Sequence, residues 1–109
     1  MDYQYIEIDK SLIPYNFDIT IADQTFTLLI NYNAMRDFFT IDLYKNGILI
    51  VFGQRVVYGV PLFLNNQHLQ VPIIPITPYD LALNENRVTW DNFNNTVFLW
   101  LPLGGLNSE

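Results

Sequence analysis

Cysteine is absent from this sequence of 109 residues, which excludes disulfide staples and thiolate metal sites alike. Charge is scarce too: 15% of residues carry it, against about 25% in an ordinary soluble domain. The shortage is sharpest for cations. Lys10, Lys45, Arg36, Arg55 and Arg87 face eleven carboxylates, for a net charge of −6. Nucleic-acid binding is driven mainly by neutralising phosphates with Lys and Arg, so direct contact with DNA or RNA is not expected. Long hydrophobic runs are missing: no unbroken one is longer than Ile48 to Phe52, which falls far short of the ~20 residues a membrane-spanning helix needs. No membrane insertion is expected. The opening residues MDYQYIEIDK lack a basic and then apolar leader, so no signal peptide is expected either.

What is present in quantity is hydrophobic bulk. Half of the residues are hydrophobic and 16% are aromatic. A single domain over residues 1–109 is the expectation at this length. With so few charges to cover its surface, part of that surface must be neutral-polar or apolar, and contiguous apolar surface marks interfaces.

The patterning has period two and nowhere keeps a helical period for long. Tyr3 to Asp9 reads as a first strand within an N-terminal segment 1–10. Asn16 to Ile21 alternates, with Phe17, Ile19 and Ile21 on one face. Ala22-Asp23-Gln24 is a polar link, and Thr25 to Tyr32 alternates again with Phe26, Leu28, Ile30 and Tyr32 inward, so the pair predicts a hairpin. After a connection over Asn31 to Asp37, Phe38 to Tyr44 sets Phe39, Ile41 and Leu43 against Thr40 and Asp42. Asn46-Gly47 predicts a two-residue type I′ turn that places Lys45 opposite Ile48 and Tyr44 opposite Leu49. Ile48 to Phe52 does not alternate and is expected to be buried on both faces. Gly53 suggests a bulge or bend, with Gln54 to Tyr58 extended beyond it and a turn at Gly59-Val60-Pro61.

The second half is less regular. Leu62 to Leu64 reads as a short strand and Asn65 to Gln67 as a turn. His68 to Ile76 is β-prone but carries Pro72 and Pro75, so an edge strand or extended arm is expected there. Tyr79 to Leu83 is the one helical turn expected. A short strand is expected around Val88 and Trp90, polar turn residues from Asp91 to Asn95, and a last strand from Thr96 to Leu101. Residues 102–109 form a Gly-containing tail. At least one of Trp90 and Trp100 is expected in the core. Short antiparallel strands separated by turns imply an all-β fold, a small β-sandwich or a partly open barrel.

Catalytic chemistry finds little support. His68 is the sole histidine, and Ser11 and Ser108 are the only serines; Ser108 lies in the tail, so a nucleophilic triad would have to use Ser11. The carboxylates fall on polar strand faces and at turns, where Asp is favoured for local hydrogen bonding. Asp91-Asn92-Phe93-Asn94-Asn95 departs from calcium-loop spacing because Phe93 takes the third position. The loop holding Arg36 and Asp37 reads as a solvated connection. No catalytic residue, metal ligand or cofactor is expected. Binding is the remaining class. Ile73, Ile74 and Ile76 lie among prolines on an expected edge, and Leu103 and Leu106 lie in the tail; these five are the candidate assembly interface, by strand addition or apolar packing. Folding of the isoleucines into the core is the open alternative.

Several segments in order carry a resemblance: Gln24-Thr25-Phe26-Thr27-Leu28, Ile30-Asn31-Tyr32-Asn33, Phe39-Thr40-Ile41-Asp42-Leu43-Tyr44, Asn46-Gly47, and Val57-Tyr58-Gly59-Val60-Pro61-Leu62. Together, across roughly Ile6 to Leu101, they resemble the small plug domain of a cyanophage baseplate, related to short proteins of contractile-tailed phages and phage-like particles. Val97-Phe98-Leu99-Trp100-Leu101 is similar to the strand that closes family members. The resemblance implies a non-enzymatic structural subunit of the virion, assembled in the host cytoplasm and placed in the tail baseplate. It would pack against the tail hub and tube proteins, with the tape-measure protein a further candidate partner, as a homo-oligomer or ring. Two other readings remain open: a carbohydrate-binding β-sandwich module for host recognition, and a hydrolase with paired carboxylates.

Overall fold

A computed structural model describes residues 3–64 and 70–102. Seven strands follow in chain order: β1 (Tyr3–Ile6), β2 (Tyr15–Ile21), β3 (Gln24–Asn33), β4 (Phe38–Lys45), β5 (Ile48–Arg55), β6 (Thr77–Tyr79) and β7 (Phe98–Pro102). One 3-10 turn, Lys10–Leu12, separates β1 from β2. The strands form two antiparallel sheets, a four-stranded one in the order β2-β3-β4-β5 and a three-stranded one in the order β1-β7-β6. The fold is thus a small all-β sandwich, and no closed barrel forms.

The four-stranded sheet is a meander, and its turns explain why. Ala22 and Asp23 adopt φ of 50° and 67°, and Asn46 and Gly47 adopt 55° and 78°. Both are two-residue turns with positive φ at both positions, whose twist matches that of the strands they join. Register follows: Ile21 opposes Gln24, Lys45 opposes Ile48 and Tyr44 opposes Leu49. The first link is therefore one residue shorter than its polarity suggested, because Gln24 already belongs to β3.

Alternation then sorts the side chains. Phe26, Leu28 and Ile30 of β3 and Phe39, Ile41 and Leu43 of β4 are all at most 1% exposed. Ile21 of β2 and Val51 of β5, then Ile6, Leu99 and Leu101 of the other sheet, with Ile8, Val56, Leu62, Phe63, Val71, Ile76, Val88, Phe93 and Val97 from the connections, join them in the core.

Several expectations fail for identifiable reasons. Ile48 to Phe52 is not buried on both faces: Ile48, Leu49 and Phe52 are exposed and only Val51 is buried. The strand is the outermost of its sheet, and the partners of Tyr44, Leu43 and Ile41 are Leu49, Val51 and Gln54. β5 thus carries an extra residue at two places, and each bulge breaks the alternation. Gly53, at φ of 69°, sits in the second bulge, as anticipated, and donates its N–H to Asp42 Oδ1 at 2.7 Å.

Leu62 to Leu64 is a turn rather than a strand, with Leu62 and Phe63 buried. The expected helical turn at Tyr79 to Leu83 is the end of β6 followed by a loop. Val88 and Trp90 lie in irregular structure and not in a strand. Neither tryptophan is among the buried residues, and phenylalanines (Phe26, Phe39, Phe63 and Phe93) fill the core instead. Of the edge strand or extended arm expected over His68 to Ile76, the part from Gln70 on forms no strand and bends at Ile73 and Ile74, and His68 and Leu69 lie outside the described residues; the edge strand is β6, which contains Pro78. The turn at Asn65 to Gln67 and the tail from Leu103 onward lie outside the described residues.

Candidate assembly surfaces

Among the described residues, several polar groups that might have built a catalytic centre hold loops instead; His68 and Ser108 lie outside the described residues. Asp80, 3% exposed, follows β6 and accepts three backbone N–H groups: Ala82 at 2.9 Å on Oδ1, Asn84 at 2.9 Å and Glu85 at 3.1 Å on Oδ2. Asn92 is buried; its Oδ1 accepts from Thr89 N at 2.8 Å and its amide donates to the Arg87 carbonyl at 2.9 Å. Asp9 Oδ1 accepts the Ser11 N–H at 3.0 Å, which caps the 3-10 turn, and also accepts the Ser11 hydroxyl. Among the described residues no group of three or more His, Asp or Glu is placed to hold a metal ion.

Arg36 and Asp37 belong to the tight turn after β3, and there Asp37 forms a clasp. Its Oδ1 accepts the Tyr32 hydroxyl at 2.6 Å and the Trp90 N–H at 2.9 Å, and Arg87 lies 3.8 Å from Oδ2. The bonds join β3 to the segment before β7. The Tyr32 hydroxyl, then the Trp90 N–H, hold the Asp37 carboxyl below the usual carboxylate range. The same hydrogen bond, with lesser help from desolvation, pushes the Tyr32 phenol up to about 12. Under the clasp, Trp90 stacks on Phe39 at 5.9 Å and meets Tyr32 at 4.7 Å, while Lys10 sits 5.4 Å over its ring. This site ties the sandwich together at one end.

Two surfaces remain that the fold does not need for itself. The first is the outer face of the three-stranded sheet. Tyr5 opposes Trp100, Trp100 opposes Thr77 and Phe98 opposes Tyr79, so period two puts four aromatic rings on the side away from Ile6, Leu99 and Leu101. Tyr5 is 41% exposed; Phe98, Trp100 and Tyr79 are half-buried. The rings cover one another, with centroids 4.5 Å apart for Tyr5 and Phe98, 5.4 Å for Tyr5 and Trp100, and 5.4 Å for Tyr79 and Tyr58. Trp100 Nε1 donates to the Tyr79 carbonyl at 2.9 Å, which leaves the rest of the indole as hydrocarbon surface. Beside it opens a cavity of about 380 Å³ lined by Pro75, Thr77, Tyr79, Leu81, Trp100 and Pro102.

The second surface is the β4–β5 hairpin end and the bulge behind it. Ile48, Leu49 and Phe52 are 65%, 45% and 77% exposed. Phe52 borders a groove with Asn31, Asn33, Thr40 and Asp42. Nearby, the Arg55 guanidinium lies 4.1 Å over the Phe38 ring, so the strand's one cation is drawn onto an aromatic face.

The isoleucines singled out in the sequence separate. Ile76 is 1% exposed and belongs to the core; Ile74 is half-buried and Ile73 is 76% exposed. A buried side chain cannot meet a partner, so Ile76 leaves the candidate set while Ile73 remains at the surface. Leu103 and Leu106 lie outside the described residues. Sequence reasoning missed Tyr5, Phe98 and Trp100 as one surface because Tyr5 is 95 positions from Trp100. The available signal was parity: Phe98 and Trp100 share a face of one strand, opposite Leu99 and Leu101.

The fold and its surfaces define a small two-layer β-sandwich domain with an aromatic outer sheet face. Residues 3–102 match the family described as "Cyanophage baseplate Pam3 plug gp18", and the chain belongs to that family. No curated protein matches it. The chain is accordingly a structural component of a phage-type tail baseplate, a virion protein. No helix among the described residues is long and apolar enough to cross a membrane.

Proposed function

We propose that this chain is a plug subunit associated with the tail hub at the end of the tail tube, acting by protein–protein assembly and not by catalysis. The observation that carries the reading is the family match over residues 3–102. The aromatic outer face supports it, because Tyr5 is exposed and Phe98, Trp100 and Tyr79 are only half-buried there, so a partner that covers them gains apolar burial. Hub and tube proteins are the proposed partners, with the tape-measure protein a third, and a homo-oligomer or ring is the proposed form within the assembly. Assembly takes place in the host cytoplasm. Ile73 and Ile74 are proposed contacts near the aromatic face, given that Pro75 borders its cavity; Leu103 and Leu106 remain proposed contacts that lie outside the described residues.

The test is size-exclusion chromatography with light scattering on the chain alone and mixed with the hub and tube proteins encoded beside it. A complex with either is expected, and Trp100→Arg is expected to weaken it. A monomer that joins neither would refute the placement.

A carbohydrate-binding role draws on the same face, since a row of rings can stack on sugars. Among the described residues, however, its cavity is lined by Pro75, Thr77, Tyr79, Leu81, Trp100 and Pro102, with no carboxylate or side-chain amide. The Trp100 N–H is already engaged. A flat apolar partner fits this surface better than a polyol. Binding by the isolated chain on a glycan array would reverse that preference.

A further inference from the structure

Each of the two sheets ends in two edges, and the four edges are not alike. β1 has four residues and β6 has three, one of them Pro78; both are too short to template another chain. β5 is longer, but its two bulges interrupt the ladder, a known way of blunting an edge. β2 has none of these protections. Its seven residues pair with β3 in unbroken register from Tyr15↔Ile30 to Ile21↔Gln24. Among the described residues β3 is the only strand bonded to it. Every second residue of β2 therefore turns its N–H and C=O outward, away from β3.

The side chains tell the same story independently. The core-facing residues of the two central strands are at most 1% exposed, whereas Tyr15, Phe17 and Ile19 of β2 are only half-buried. Tyr15 and Phe17 stack at 5.5 Å, presenting one apolar row at the rim of the core. The opposite face is polar: Asn16 and Asp18 are exposed and Thr20 is half-buried. A further strand with apolar residues on one side and polar residues on the other would extend the ladder and finish the row.

Charge decides what that strand is. The stretch from Pro14 to Asp23 contains Asp18 and Asp23 and no Lys or Arg. Asp18 is the middle residue of β2, so a two-fold pairing of β2 with its own copy about the strand centre would place Asp18 opposite Asp18. Like charges directly opposite one another are destabilising. A basic residue at that position would be favoured.

We propose that the β2 edge accepts, as an added strand, an extended and alternately apolar segment of another chain carrying a Lys or Arg opposite Asp18. The proposal rests on the baseplate reading for the origin of that segment, but not for its chemistry.

The experiment uses the full chain and a labelled synthetic peptide, Lys-Val-Thr-Val-Lys-Val-Thr-Val-Lys, read by fluorescence anisotropy. Binding is expected, and is expected to vanish when alternate peptide amides are N-methylated, which removes the ladder bonds but not the apolar side chains. Asp18→Lys exchanges attraction for repulsion, so about a five- to tenfold loss is expected, with a matching gain for the peptide whose central Lys is Glu. Asp18 is exposed and the variant is expected to keep its fold, checked by circular dichroism. Leu49→Lys on β5 is expected to change nothing.

Equal binding of the methylated peptide, loss of binding in Leu49→Lys, or no binding at millimolar peptide would overturn the proposal. So would a dimer of the chain alone that Asp18→Asn tightens, which would put a second copy on the edge. The baseplate reading is separated by chromatography: if wild type and Asp18→Lys join the hub or tube protein equally well, the edge is not the contact while the placement stands.

Discussion

Asp80 offers the sharpest test of how the loops are held, because one buried carboxylate receives three backbone N–H groups. Asp80→Ala leaves all three donors without their partner. Hydrogen bonds to a charged group contribute about 1.5–3 kcal/mol each and are not additive within one cluster, so a loss of about 3–4 kcal/mol is expected. Asp80→Asn is near-isosteric and should still be costly. Its single carbonyl can face either Ala82 or the Asn84–Glu85 pair, and its amide then points donors at donors. A loss of about 2 kcal/mol is expected. For a domain of this size, with a total stability of about 5–15 kcal/mol, such changes remove a large share. Urea denaturation followed by tryptophan fluorescence measures both, with unchanged slope as the check that only stability moved. The order wild type, Asp80→Asn, Asp80→Ala is the expected result. If Asp80→Ala lies within about 0.5 kcal/mol of wild type, water satisfies these N–H groups and the loop is not held by the carboxylate.

Gly47 has φ of 78° and nothing within 4 Å of where a Cβ would stand, so substitution there costs backbone strain alone. Gly47→Val is expected to lose about 1–2 kcal/mol and Gly47→Asn less than half of that in the same urea assay; equal losses would refute the turn assignment. The clasp sets the pH dependence at both ends. Asp37 is depressed in the folded chain, so its contribution is present above the unfolded carboxylate value and is lost as pH falls through the lower folded one. Tyr32 is raised from 10.0 to about 12, so its contribution is present below pH 10 and is lost as pH climbs toward 12. Asp37→Asn is expected to flatten both limbs of a urea-midpoint profile. It should also move the Tyr32 phenol back toward 10, read as the 295 nm titration difference against Tyr32→Phe.

Sheet strands and turns in the first half of the chain were legible because each decision there is local. Asn46 and Gly47 tolerate positive φ wherever they stand, and the alternation of Phe39, Ile41 and Leu43 assigns a face without knowledge of any neighbour. The all-β class, the β2–β3 hairpin and the register of the β4–β5 hairpin follow from such terms, whereas the order in which β2 to β5 assemble into one sheet came from the structure. The family resemblance was legible too, because it rests on the order of those same short segments.

What depends on neighbours far along the chain was not legible. Ile48 to Phe52 is as hydrophobic as a buried strand, and only its place at the end of the sheet leaves Leu49 and Phe52 in solvent. Ile73 and Ile76 stand in nearly identical surroundings of sequence, yet one is exposed and the other lies in the core. Tyr5 meets Trp100 only because β1 pairs with β7. Hydrophobicity is a property of the residue and fixes which side chains seek cover. Whether cover is found is a property of the packing, since burial requires a second layer that the local chain does not contain. The sequence alone thus determined the all-β class, the hairpin strands of the first half and the shortage of charge. Tertiary structure alone decided which apolar residues remain at the surface, and with them the faces this baseplate protein offers to others.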